Sequence, residues 1–423
     1  MKTNKTLLSC AVAFVLASVS TFTQAAGFQL AEYSATGLGR AYAGEAAMAD
    51  NASAQWRNPA MLTYLEGTQV SAGAIYVNPN VDVEGTVNHA QLGKTHASSN
   101  DFAHDAVIPN FYLSHQLNEQ VALGFALGTN YGMETDLGTE FAASHFGNQA
   151  SVISKEANLN IAYQILPQLS IGGGVRYVMG EGHFGATAPA KNALKLPQGT
   201  TLKYMEGEYN SWGWQVGSAW QINQNHRVGF AYKSEVVMDF EGHAEGVSYG
   251  SYKPGMMSVT LPATAELASF HQLNDQWAIH ASINWTDWSS FKELTAVFPE
   301  KSDLIKSENW EDNYRFALGT TYQYDAKLAL RAGVAYDTSA VDDKNRTATI
   351  PETDRTWVSV GGSYVATPQL TLDAGFTYIF AKDATINEPR DASDQTAAAI
   401  GGAFTGNVSG NVWLIGVQAN YRF

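Results

Sequence analysis

Cysteine is nearly absent: the 423 residues hold one, Cys10. It lies in the N-terminal apolar run, and Leu7-Leu8-Ser9-Cys10 does not make a lipid-attachment site, because the apolar run follows the cysteine instead of preceding it. Once that run is set aside, disulfides and thiol chemistry are excluded. Long hydrophobic runs are missing too. Beyond the first turns of the chain none approaches the roughly 18 apolar residues of a membrane helix. Charge is scarce at 15% of residues, and basic charge scarcer, with 25 Lys and Arg against 40 Asp and Glu. The net charge of −15 disfavours nucleic acid and anionic membrane surfaces as partners.

Chemical motifs are equally sparse. The ten histidines show no HExxH-like spacing. Gly37, Gly39 and Gly44 lack both a preceding strand and a phosphate-loop lysine, so no nucleotide site is expected. No Ser/His/Asp arrangement stands out. The reading is a protein that is not an enzyme and has neither metal nor cofactor.

What is present begins with a targeting signal. Lys2 and Lys5, the apolar stretch from Leu7 to Val19 and Thr23-Gln24-Ala25 form a secretory signal cleaved after Ala25. Its loss leaves about 398 residues and a net charge of −17, two lysines having gone. Mean hydropathy is −0.18, yet aromatics reach 12% and glycines number 38. That mixture suits a transmembrane β-barrel, in which only every second strand residue meets lipid.

Period-two alternation supports this. Val121, Leu123, Phe125 and Leu127 share one face while small residues take the other. From Trp277 to Trp285 the odd positions are apolar except for Ala281, whereas His280, Ser282 and Asn284 face the opposite way. The C-terminus sets Trp413, Ile415, Val417, Ala419, Tyr421 and Phe423 against Gln418, Asn420 and Arg422. Six tight turns are readable, at Leu117-Asn118-Glu119, Leu166-Pro167-Gln168, Asn223-Gln224-Asn225, Leu273-Asn274-Asp275, Tyr324-Asp325-Ala326 and Ala366-Thr367-Pro368. Seven longer polar segments alternate with them, near 80–104, 131–150, 181–207, 240–257, 289–309, 338–352 and 382–410. Together they join fourteen antiparallel strands, with both ends on the periplasmic side and the long loops outside. An all-β, 14-stranded barrel is therefore expected over 67–423.

Residues 26–66 differ: rich in Gly and Ala, without strand alternation, and ending in Asn58-Pro59-Ala60. Phe28, Leu30, Tyr33, Leu38, Tyr42, Met48 and Trp56 are too apolar for a disordered tail. A barrel of this size encloses a wide lumen, and this segment is suited to fold back inside it as a plug.

These residues resemble the FadL-type outer-membrane long-chain fatty acid transport proteins, a family of hydrophobic-compound transporters. The likeness runs through "AGFQL", "SATGLGRAYAGEAAMAD", Asn58-Pro59-Ala60, "TNYG", "FAYKSEVVMDF", "QWAIHASINWTDWS", "YRFALGTTY" and "NRTATIPETDR" to the last strand. The resemblance implies a barrel plugged by a small helical N-terminal hatch. It also implies ligand capture among outer loops, transfer to a deeper pocket near the hatch and N-terminus, and lateral exit into the membrane where the third strand kinks. By the same resemblance Asn58, Pro59 and Ala60 belong to the hatch near the gap, and Asn130, Tyr131 and Gly132 mark the lateral opening. Gly132 is compatible with a broken ladder.

An apolar path for such ligands would be lined by Phe28 near the N-terminus and by Phe184, Leu194, Leu196, Tyr249, Tyr252, Met256 and Met257 in the outer loops. A fatty-acid carboxylate needs a cation if buried. The family's basic positions fall in "GEGHFGATAP" and "NWEDNYR", which offer only His183 and, where a lysine would help, Glu311. Arg176, Lys155, Lys203 and Arg315 are the remaining head-group candidates. Expected partners are a long-chain fatty acid or another hydrophobic small molecule, together with outer-membrane lipid and lipopolysaccharide, around a monomer. Neutral hydrocarbons or aromatics taking the same route, a surface receptor or adhesin using the long loops, and an open porin are the alternatives.

Overall fold

The computed structural model describes residues 27–423. The expected signal, residues 1–25, and Ala26 lie outside the described residues. Among the described residues no helix is long and apolar enough to cross a membrane. Strand dominates instead.

Fourteen staves close into one antiparallel barrel, built from twenty-one strand segments. The first six staves are β1 (Thr68–His89), β2 (Gly93–Ser99) with β3 (Ala106–Gln116), β4 (Val121–Gly128) with β5 (Gly132–Asp136), β6 (Gln149–Leu166), β7 (Leu169–Thr187) and β8 (Thr201–Asn223). The next four are each interrupted: β9 (His226–Lys233) with β10 (Val236–Gly246), β11 (Gly250–Leu261) with β12 (Thr264–Gln272), β13 (Trp277–Thr286) with β14 (Glu293–Val297), and β15 (Ser302–Ser307) with β16 (Asn313–Gln323). The last four are β17 (Leu328–Asp337), β18 (Arg355–Val365), β19 (Leu370–Ala381) with β20 (Ala384–Glu388), and β21 (Ala403–Arg422). β1 pairs with β21 from Gln69↔Arg422 to Asn88↔Ala403, which removes both edges.

Alternation decides which face meets what. Leu159 and Trp212 are 61% and 66% exposed and point outward with Val216, Ile283 and Val417. Ala122, Ala126, His280, Ser282 and Gln418 point inward and are buried. The six tight turns fall at the six short connections between strands. The long connections differ from the sequence reading. Much of 80–104 and 240–257 is strand, with β1–β2 and β10–β11 rising as hairpins, and 382–410 holds β20 and a helix, Gln395–Gly401. Above the membrane belt the outward positions turn polar, as at Asp82, Glu84, Thr86 and Asn88, while Val83 and Val87 still pack inward, so the lipid-facing apolar signal disappears although the ladder continues.

Residues 27–66 lie inside the barrel as short helices, Ala35–Leu38 and Ala54–Arg57, and 3₁₀ turns, Glu45–Ala47 and Pro59–Tyr64. The fit depends on glycines of the wall. A Cβ on Gly172 would come within 2.5 Å of Ala60 N, and one on Gly361 within 2.6 Å of the Gly39 Cα. At Gly229 and Gly333 it would collide with the carbonyls of Ala46 and Arg40. Arg40 holds the plug's own turns together, donating to Glu45 at 2.5 Å and pairing with Asp50 at 2.7 Å.

Candidate functional site: an apolar cleft beside a break in the wall

A cleft of about 870 Å³, open space included, lies towards the long-loop end of the lumen. Its existence follows from a row of glycines in register across four neighbouring strands: Gly182 faces Gly207, Gly207 faces Gly242, and Gly242 faces Gly255. Without side chains there, the inner wall recedes. Met133, Phe184, Met205, Phe240, Met257, Val259 and Phe298 frame the space with apolar and polarisable surface.

Phe28 forms the side nearest the plug. Its ring centroid stands 4.6 Å from that of Trp288, 5.6 Å from that of Phe291 and 6.1 Å from that of Trp310. Gly27 allows this packing: it has φ +63°, and a Cβ would sit 2.5 Å from Trp288 and 2.6 Å from Trp310. The cleft's polar lining is Ser151, His183, Glu206, His243, Lys306, Glu308 and Thr349. Lys306, only 3% exposed, lines the wall with Glu308 and Thr349. Its Nζ is 5.1 Å from the Phe184 ring centroid, 3.4 Å from Thr349 Oγ1 and 3.9 Å from Glu388 Oε1.

Beside the cleft the third stave breaks. β4 pairs with β6 as far as Gly128↔Glu156, and β5 resumes at Gly132↔Ile153, so three residues oppose two. The N-terminal chain takes up the freed backbone groups. Leu30 N donates to Asn130 O at 2.7 Å, and Gly132 N donates to Phe28 O at 2.8 Å. Tyr131 Oη reaches across to donate to Pro262 O at 2.6 Å. Asn130 Nδ2 donates to Glu156 at 2.6 Å, and its Oδ1 accepts from Lys233 at 3.1 Å. On the opposite side of the third stave, β3 pairs with β4 only over Phe111–Gln116. Ala106–Asn110 have no ladder partner in the third stave, and contact resumes at one bridge, Ala103↔Thr135. No strand ladder joins the two staves between these points.

Residues 16–423 match the family described as outer membrane protein transport protein (OMPP1/FadL/TodX). The chain belongs to this family. It is 32% identical to a long-chain fatty acid transport protein of Escherichia coli O6:H1, covering 99% of each chain. It is 33% identical to outer membrane protein P1 of Haemophilus influenzae, covering all of both. Among solved structures, a Pseudomonas aeruginosa FadL homologue superposes with a TM-score of 0.85 at 20% identity, over 94% of this chain and 100% of the other. The Ralstonia pickettii toluene transporter TbuX superposes at 0.67 and 18% identity, over 94% and 100%. These two likenesses carry the fold, and the family places this FadL-type chain in the outer membrane.

The residues singled out from sequence are scattered. Phe28, Phe184, Met256 and Met257 meet at the cleft, and Tyr249 packs on Phe298 at its rim. Leu194 and Tyr252 are exposed, and Leu196 belongs to a loop folded on Asn192; none of the three lines the cleft. Asn58 pins the plug to the wall, its Nδ2 donating to Ala46 O at 2.6 Å and Ser218 O at 3.0 Å while Oδ1 accepts from Ala60 N. Pro59 opens the 3₁₀ turn that follows.

Three of the four basic candidates are paired with acids. Arg176 is held by Glu156 through Nε and Nη2, both at 2.8 Å, and by Ser234 O, so it braces the break from inside. Arg315 pairs with Asp337 at 2.9 Å and lies over Trp357. Lys155 faces outward, 3.8 Å from Glu181. Lys203 is half-buried and does not line the cleft. Sequence reasoning missed Lys306, Glu308, Trp288, Phe291 and Trp310. The lysine sought just before Tyr314 stands five residues earlier than the exposed Glu311. Only its place directly after the apolar pair Leu304-Ile305 could have marked it.

Proposed function

We propose that this protein takes up long-chain fatty acids passively: the acyl chain occupies the apolar cleft, the carboxylate meets Lys306, and the ligand leaves sideways through the break in the third stave. Residues 26–66 act as the hatch and 67–423 as the transporting barrel. The observation that carries the reading is a single ammonium buried in the wall of an apolar cleft, next to the interrupted ladder of the third stave. Each CH₂ removed from water contributes about 0.8 kcal/mol, so a chain of some sixteen carbons gains on the order of 10 kcal/mol there. A sideways exit into bilayer keeps that gain, whereas an aqueous exit would lose it.

One observation favours a second reading, uptake of neutral hydrocarbons: Glu308 and Glu388 stand close to Lys306 and oppose an anion. Binding of oleate and of a neutral C18 alkane to purified wild-type protein and to Lys306→Met separates the two. The fatty-acid reading predicts that the substitution weakens oleate at least tenfold and leaves the alkane unchanged. Equal oleate affinity in both proteins would contradict it and favour the neutral ligand.

A further inference from the structure

Behind Lys306 lies a buried ionic cluster drawn from three loop segments. Glu388, 2% exposed, ends β20 beyond the membrane belt; Glu308 follows β15; Arg390 and Asp394 belong to the segment leading into the helix Gln395–Gly401. Arg390 is mostly held by other groups, with Nη1 also 3.9 Å from Glu308 and only Nη2 left without a hydrogen-bond partner among the described residues. Its Nη1 donates to Ser307 O at 2.7 Å and Asn345 O at 3.0 Å, and its Nε to Asp394 at 3.2 Å. Glu308 accepts from Trp310 Nε1 at 3.2 Å. Glu388 is left with Lys306 alone, at 3.9 Å, which is beyond hydrogen-bonding distance. Neither of its oxygens has a hydrogen-bond partner among the described residues.

Resting on the reading of the cleft above, we propose that Glu388 sets its head-group selectivity: it competes for Lys306, and an anionic ligand captures Lys306 only as Glu388 takes up a proton. The cluster around Glu388 holds two bases, Lys306 and Arg390, and three acids, Glu308, Asp394 and Glu388 itself. A further carboxylate would leave four acids facing two bases in a dry site, where an unpaired charge is expensive. Taking up one proton restores the three-to-two ratio of the empty site. Burial pushes the Glu388 carboxyl up to about 7, against the pull of Lys306 and Arg390, and raises Glu308 in the same direction. The exchange therefore falls in the neutral range.

The test uses hexadecyl sulfonate, which stays ionised throughout, and hexadecanol, which carries no charge, binding to the full-length protein between pH 6 and 9. The wild type should bind the sulfonate up to tenfold more weakly for each pH unit above about 7, one proton being exchanged, while hexadecanol affinity stays level. Glu388→Gln should flatten the sulfonate profile and bind it more tightly than wild type at pH 9. A level wild-type profile overturns the proposal even if the variant fails to fold. A slope that survives in folded Glu388→Gln overturns it too. Lys306→Met distinguishes the two layers: if it binds sulfonate as well as wild type does, the assignment of Lys306 as head-group partner fails, and Glu388 falls with it.

Discussion

Glu156 illustrates how single residues hold this lumen together. Its two oxygens accept from Arg176 Nε and Nη2, and one also accepts from Asn130 Nδ2, so one carboxylate fixes both a charge on β7 and the backbone at the break. Glu156→Gln would strand a buried guanidinium, a loss of about 3–5 kcal/mol. The expected outcome is a lower temperature for the shift in gel mobility that marks barrel unfolding. Glu156→Gln with Arg176→Met should recover most of it. A single variant as stable as wild type would show that the pair is not structural. At this scale the sequence was legible where a residue acts through its size or apolarity: Phe28, Phe184, Met256 and Met257 all reach the cleft. It was opaque for the charges, because Lys306, Glu388, Glu308 and Arg390 are neighbours only through folded loop segments that no spacing in the chain relates.

Strands and turns were legible for a different reason. Between lipid and lumen the alternation is enforced by two solvents, so Val121–Leu127 and Trp277–Trp285 declare their faces. Above the belt that constraint ends, and segments such as Gly93–Ser99 read as loop although they pair with β1. The break in the third stave was marked only by Gly132 and the family likeness; its partner, the N-terminal chain at Phe28–Leu30, carries no strand signal and pairs by backbone alone. The element-scale prediction concerns this gap. Continuing the β3–β4 register places Pro109 opposite Thr129, and the sequence beyond Cys10 has no cysteine to interfere. Pro109→Cys with Thr129→Cys, bridged by a short bis-maleimide, should reduce fatty-acid uptake by cells at least fivefold while the purified protein still binds oleate. Unchanged uptake would count against a lateral exit.

Taken whole, the molecule sets two apolar surfaces apart. One is the outer belt of Leu159, Trp212, Val216, Ile283 and Val417, which faces lipid; the other is the cleft inside, bounded by the plug and reached from the loop end. Uptake as proposed requires that a ligand use the second surface before it reaches the first. The proposed exit lies between Ala106–Asn110 and the Gly128–Gly132 break, and the plug's N-terminal chain is paired to that break. The cleft, the proposed exit and the plug thus meet at one place, where the N-terminal segment, read from sequence as a plug, brings Phe28 to the cleft. The most direct measurement is photolabelling of the purified protein with palmitate bearing a diazirine at its terminal carbon, followed by mapping of the labelled residues. The account predicts label on Phe28, Phe184, Met257 and their neighbours, competed away by unlabelled oleate. Label confined to Leu159, Trp212 and the rest of the outer belt, indifferent to oleate, would contradict it.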